Sequence, residues 1–406
     1  MKTILISAYA VNPYKGSEDG TGWNLLREIG KRNRMVVITR RNNQQHIEQY
    51  MEENREGWHA RATFYYFDLP KWQRFWKRGS FGALPYYLLW QMALPRFIRR
   101  MEIRFDIAHQ LNFHNDWIPT RLWKLGKPVV WGPVGHHPPV PAQYISNVYG
   151  RKAWFGDRRR HWIKEAARKL NPWYGRSVRK IARILTISDN VRKTVGFPEA
   201  KTTRIPAVGA HLQPATQMKS PTFTVMSVGR FVALKGFDLA IRSFAEFAQR
   251  LRTSERVNVK LKLVGKGPEK ERLQAMAKES GCADLIEFVE WMPQAELMQL
   301  YGSAHAFLFP SHEGAGMVVP EALSFGLPVL CLDNAGPGEL VTAECGIRIP
   351  HGEYGATVQA FANALEGLYA DAGLRRKMSK AARRHVAETL GWTAKGDQIQ
   401  QVYESI

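Results

Sequence analysis

Short apolar runs alternate with longer amphipathic stretches from one end of this 406-residue chain to the other. The runs at 4–7, 35–39, 63–67, 105–109, 128–131 and 184–187 have the length and β-branched content of buried strands. A polar, proline-containing break follows at 213–221, and the pattern then restarts at 224–228, 261–264, 286–288, 306–309 and 329–332. Helical spacing fills the intervals, as at 238–251 and 269–279. Strands buried on both faces and joined by helices belong to parallel, doubly wound sheets. The expectation is an α/β chain of two Rossmann-like domains facing across a cleft, 1–212 and 213–392. A last helical pattern from 393 is free to pack back on the first domain. The apolar segment 81–98 is broken by two prolines and a glutamine, so a spanning helix is not expected there.

Composition changes this picture in one respect. The net charge is +22, and residues 71–183 hold 23 Lys/Arg against 5 Asp/Glu, so +18 of it falls in one segment. Such a field suits an anionic partner: a lipid headgroup layer, a nucleic acid or an acidic polymer. In 71–104 the cations Lys71, Arg74, Lys77, Arg78, Arg96, Arg99 and Arg100 are interleaved with Trp72, Phe75, Trp76, Tyr86, Tyr87, Trp90 and Phe97. A second basic run, 151–183, contains Trp154, Phe155, Trp162 and Trp173. Aromatic rings at headgroup level beside cations describe a membrane-peripheral surface. The alternative is that the rings are core and the cations solvate one face. Cys282, Cys331 and Cys345 are too few for a disulfide framework and lack metal-ligand spacing, which points to a reducing cytoplasm. The opening run ILISA is too short for a signal peptide.

Ligands of parallel sheets sit beyond the carboxyl ends of the strands, and four loops there carry candidate chemistry. The loop at 12–22, NPYKGSEDGTG, has three glycines in seven residues, Gly16 among them, which permits close approach to a phosphate. The loop at 229–236, GRFVALKG, carries Arg230 and Lys235, two cations on one strand-to-helix connection. They either hold a diphosphate without a metal or are solvated like most surface cations. The loop at 265–269, GKGPE, offers backbone amides from Gly265 onward. The segment SHEGAGMVVPEAL at 311–323 holds Glu313 and Glu321 eight apart, across a glycine turn and a helix start. Carboxylates accept two hydroxyl protons at once and suit sugar diols; equally, Glu321 can simply complement its own helix dipole.

GRFVALKG, LVGKGPE, FVEWMP and HEGAGMVVPEALSFGLPVL, in that order, resemble the donor half of family 4 glycosyltransferases, retaining enzymes of the GT-B fold. ISDNVRKTVG resembles that family's crossing between domains, and GSEDGTGWNLLREIGKR and KPVVWGPVGHH resemble segments of a bacterial subgroup. The resemblance implies that Arg230 and Lys235 hold the donor diphosphate, Glu313 the transferred sugar and Glu321 the ribose. It also sets Gly316, Met317 and Val318 against sugar and phosphate, Gly16 against the diphosphate, and Trp291 and Met292 against the base. Where many members place a histidine after the Pro-Val-Val strand, this chain has Val134, with His136 and His137 just downstream. Whether either imidazole takes that role stays open. His109 and His114 read as structural or cleft-lining.

No Asp-x-Asp or HExxH motif occurs, so neither a divalent metal nor another cofactor is expected. Retaining hydrolases use two carboxylates about 5 Å apart, one as nucleophile. The resemblance instead sets Glu313 on ring hydroxyls and favours front-face transfer. The expected partners are a nucleoside-diphosphate sugar (UDP by family frequency), a glycan or polyprenyl-linked acceptor, and an anionic membrane surface. Two other classes compete. A nucleic-acid-binding protein would explain the charge but leaves the donor loops unexplained, so no nucleic-acid partner is expected; an inactive assembly subunit would not need all four of Arg230, Lys235, Glu313 and Glu321.

Overall fold

The computed structural model describes residues 1–77, 82–112, 115–214, 220–290 and 292–406. The first sheet is built from β1 (Thr3–Ala8), β2 (Arg34–Thr39), β3 (Ala62–Tyr66), β4 (Ile107–Asn112), β5 (Val129–Val134), β6 (Arg183–Thr186) and β7 (Thr202–Arg204). Its order is β3-β2-β1-β4-β5-β6-β7, and every pairing is parallel. The second holds β8 (Phe223–Val228), β9 (Val259–Val264), β10 (Ile286–Val289), β11 (Ala306–Phe309), β12 (Val329–Leu332) and β13 (Gly346–Ile349). They run β10-β9-β8-β11-β12-β13, again all parallel. In each sheet the strand order reverses once, between β1 and β4 and between β8 and β11. At such a switch point adjacent loops diverge and leave room for a ligand.

Alternation along single strands explains why both sheets are covered twice. Ile4 and Ile6 enter one core cluster of the first unit with Leu26, Ile399 and Tyr403, while Leu5 enters the other with Tyr86, Trp90 and Trp131. In the second unit Val225 and Leu261 face a cluster around Phe244 and Phe361, and Met226 and Val264 face one around Phe307 and Leu323. Each fully buried side chain of this size contributes roughly 1.5–3 kcal/mol relative to exposure.

The chain divides into compact units that are not contiguous. Residues 1–136, 162–207 and 392–406 form one, and 137–161 with 208–391 form the other. This differs from a simple 1–212/213–392 division, because 137–161 carries core residues of the second unit. Val140, Tyr144 and Ile145 are buried there, the Tyr144 hydroxyl donates to Gly352 O at 2.8 Å, and that of Tyr149 to Asp238 Oδ1 at 2.8 Å. The helix Trp392–Glu404 packs within the first unit. Its fully buried Lys395 donates to Pro206 O at 2.7 Å, and burial lowers that amine's pKa to about 7.

Tyr86, Tyr87 and Trp90 do not sit at a surface. They form the buried face of the helix Ala83–Arg100, and the Trp90 indole donates to Phe67 O at 2.9 Å. The opposite face of that helix, with Leu84, Leu88, Leu89 and Met92, is exposed, as are Trp72, Phe75, Trp162 and Trp173. Arg78 lies outside the described residues. Among the described residues no helix is long and apolar enough to cross a membrane.

Candidate functional site

The two loops that flank the switch point of the second sheet are fastened to each other. Gly236, where the loop after β8 enters the helix Phe237–Arg250, has φ 67°. A Cβ there would lie 2.1 Å from the Pro310 carbonyl oxygen, so only glycine allows this approach. The His312 amide donates to Leu234 O at 2.9 Å and the Ser311 hydroxyl to the same oxygen at 3.2 Å. Residues far apart in sequence therefore meet: Lys235 Nζ lies 2.6 Å from Glu313 Oε2 and 5.2 Å from the centre of the Phe309 ring. Their side chains are 18% and 17% exposed, open enough for a ligand and enclosed enough for charge to matter.

Burial raises the Glu313 carboxyl above its ordinary range, and Lys235 offsets only part of that shift. Its second oxygen, Oε1, is buried without a hydrogen-bond partner among the described residues. The Cβ of any residue replacing Gly316 would stand 3.5 Å from Oε1 and 3.3 Å from Phe309, so the glycine leaves that oxygen approachable. Glu321 lies in the first turn of the helix Val318–Ser324. Burial raises its carboxyl to about 7, and the Tyr301 hydroxyl donates to it at 3.5 Å. Arg230 is exposed on its loop. Gly265 follows β9, and a Cβ on it would lie 1.9 Å from Gly229 O, which brings the third loop against the second. Met317, Val318 and Met292 are half-buried at the rim of the adjoining core cluster; Trp291 lies outside the described residues. The arrangement offers two cations, an underused carboxylate oxygen and a second carboxyl, a set suited to a diphosphate and sugar hydroxyls.

In the first unit Gly16 is exposed and precedes the helix Ser17–Gly30. His109 lines no open site. It is wholly buried, its ring nitrogens 2.5 Å from the Tyr403 hydroxyl and 2.8 Å from Gly132 O, and burial holds its pKa near 4. His136 Nδ1 lies 3.0 Å from Asp116 Oδ2, while His137 is exposed and His114 falls outside the described residues. Burial alone would raise Asp116; His136 and Arg168 hold its carboxyl below the ordinary value. Asp116, His136 and Glu165 present ligand atoms within 4.8 Å of one another, a spacing a metal could use. Arg168 already sits among them, 3.3 Å from Asp116 and 2.6 Å from Glu165, so a guanidinium supplies the positive charge. Neither the Arg168–Asp116 nor the Tyr301–Glu321 contact carried a signal in the sequence, since each joins residues 20 or more positions apart.

Residues 212–385 match the family of glycosyl transferases group 1. Over 191 residues the chain is 35% identical to a D-inositol 3-phosphate glycosyltransferase of Acidothermus cellulolyticus, covering 44% of this chain and 40% of that one. Over 187 residues it is 28% identical to a GDP-mannose-dependent alpha-(1-6)-phosphatidylinositol monomannoside mannosyltransferase of Mycolicibacterium smegmatis, covering 44% and 47%. The chain thus spans less than half the length of these relatives. A crystal structure of Anabaena HepE with UDP superposes over 100% of both chains, with a TM-score of 0.63 at 17% identity. The fold is of the GT-B class, and the stretch that matches the glycosyltransferase family lies within the second unit.

Proposed function

We propose that this chain is a retaining, metal-independent glycosyltransferase. It moves a sugar from a nucleoside diphosphate, with uridine the first base to test, to a glycan or polyprenyl-linked acceptor at the cytoplasmic face of an anionic membrane. The observation that carries the reading is the Lys235–Glu313 pair, with Glu313 Oε1 lacking a partner among the described residues, inside the segment that matches the glycosyltransferase family. Lys235 and Arg230 receive the diphosphate and offset its charge as the bond from the sugar's anomeric carbon to phosphate oxygen breaks. Glu313 accepts a ring hydroxyl through Oε1, since Oε2 is held by Lys235. The departing phosphate oxygen takes the acceptor's proton, and the acceptor oxygen bonds to carbon on the face the phosphate leaves. Glu321 takes the ribose hydroxyls.

The membrane part rests on the outward face of the helix Ala83–Arg100: Leu84, Leu88, Leu89 and Met92 are exposed, and Arg96, Arg99 and Arg100 follow. Apolar side chains backed by cations are what an interfacial helix presents to anionic lipid. The three cysteines are free thiols, in keeping with a reducing compartment. The deciding experiment measures melting temperature and acceptor-free hydrolysis with UDP-, GDP- and ADP-sugars, in the presence of excess chelator. A ligand that binds only the native state raises the melting temperature. One nucleotide sugar should do so and be hydrolysed; a chain that responds to none is an assembly subunit instead. Chelator-sensitive turnover restored by manganese would refute the metal-free mechanism.

A further inference from the structure

Away from the donor loops, the first unit contains a cavity of about 550 Å³ at the carboxyl ends of β2 and β3. Among the described residues four cations line it: Arg40, just after β2, and Lys71, Arg74 and Lys77 from the segment that follows β3. Among the same residues one carboxylate, Asp68, faces them, and it is already engaged by the Tyr86 hydroxyl and, at 3.7 Å, by Arg74. The described lining therefore keeps an excess of three positive charges within one concavity. Solvated surface cations ordinarily spread apart. Two of them are held here: the Arg40 guanidinium stacks 4.1 Å from the Tyr9 ring centre and donates to Tyr9 O at 3.0 Å, and Lys77 Nζ lies 4.8 Å from the Tyr86 ring centre. Burial, then the charge of Arg40, lowers the Lys77 pKa, and Asp68 offsets only part of that shift, as expected of a cation crowded by others.

We propose that this cavity is a second anion site, which takes a phosphate monoester or diphosphate borne by the acceptor. Its volume lies within the 300–1,000 Å³ or so of small-molecule pockets, enough for a phosphate with part of an attached sugar or lipid. Its position after β2 and β3 is the end of a parallel sheet where ligands bind, and Arg40 ties it to the loop that follows β1. Fixed guanidinium and ammonium groups on separate segments can surround a phosphate from several sides. Anion binding follows from the cavity alone; its assignment to the acceptor rests on the glycosyltransferase reading.

The test is a calorimetric titration of the full chain with inorganic pyrophosphate, in an Arg230→Ala/Lys235→Ala background that removes the donor-side cations. That background should still bind pyrophosphate. Adding Lys71→Gln, Arg74→Gln and Lys77→Gln should weaken binding at least about tenfold, the equivalent of one charge-assisted contact. The charge-preserving set Lys71→Arg, Arg74→Lys and Lys77→Arg should retain it, which separates lost charge from lost fold. An unchanged affinity in the glutamine set, or no binding in the background, overturns the proposal. Vesicles of phosphatidylglycerol in phosphatidylcholine then identify the source. Loss of pyrophosphate binding with vesicle binding kept marks a phosphate presented by a single acceptor molecule; loss of both marks a lipid headgroup. Nucleotide-sugar hydrolysis by the unaltered chain is a separate measurement, so the glycosyltransferase reading and the second site can fail independently.

Discussion

Lys235 and Arg230 share a loop, but their removal should have different consequences. Arg230 is exposed, so Arg230→Ala should lower turnover about 10²–10³-fold, as loss of a preorganised charge contact does, with the melting temperature nearly unchanged. Lys235→Ala should cost as much turnover and also stability, because it leaves the Glu313 carboxylate without its cation. Near-normal turnover in both variants would place the chemistry elsewhere. Glu321 gives a pH signature. Its carboxyl titrates near 7 in the folded chain and at an ordinary 4.5 when unfolded, so between those values the native state holds the extra proton. Its contribution to stability is complete below about 4.5 and disappears as pH rises through 7. Glu321→Gln should abolish that slope, seen as denaturation midpoints that no longer fall between these two pH values. Parallel wild-type and variant curves would dismiss the assignment.

Most strands were legible because buried parallel strands are short, apolar and regularly spaced. Two were not. β7 is three polar or charged residues, Thr202–Arg204, and β13 begins with glycine and alternates, which suits edge positions where one side needs no pairing. The candidate loops were visible as composition, since glycines and cations after a strand are local facts. Their contacts were not, because the fit of Gly236 against Pro310 depends on two segments more than 70 residues apart. Gly236→Ala should therefore cost roughly 1–3 kcal/mol of stability through strain at positive φ, and it should reduce turnover by separating Lys235 from Glu313. A Gly236→Ala protein that melts and turns over like the parent would show that this close approach is incidental.

For the whole molecule, +22 is a statement about partners rather than fold. The full chain should bind vesicles containing anionic lipid at low salt and leave them as salt rises. Leu88→Asp/Leu89→Asp should weaken that binding, as should Arg159→Glu/Arg160→Glu, since all four residues are exposed. Arg158 is better left alone, because it donates to Val140 O at 3.1 Å. A protein indifferent to such vesicles would shift the charge to a soluble acidic acceptor. The interleaving of the two units is the feature least accessible from sequence, since periodicity reports what a segment is and not which core it enters. That interleaving also sets an order of assembly. During synthesis the second unit has all its residues once the chain reaches Gly391, whereas the first still lacks Trp392, Ile399, Val402 and Tyr403 from its core. The half translated first is thus the half completed last, and until then it must wait with one face of its sheet only partly covered.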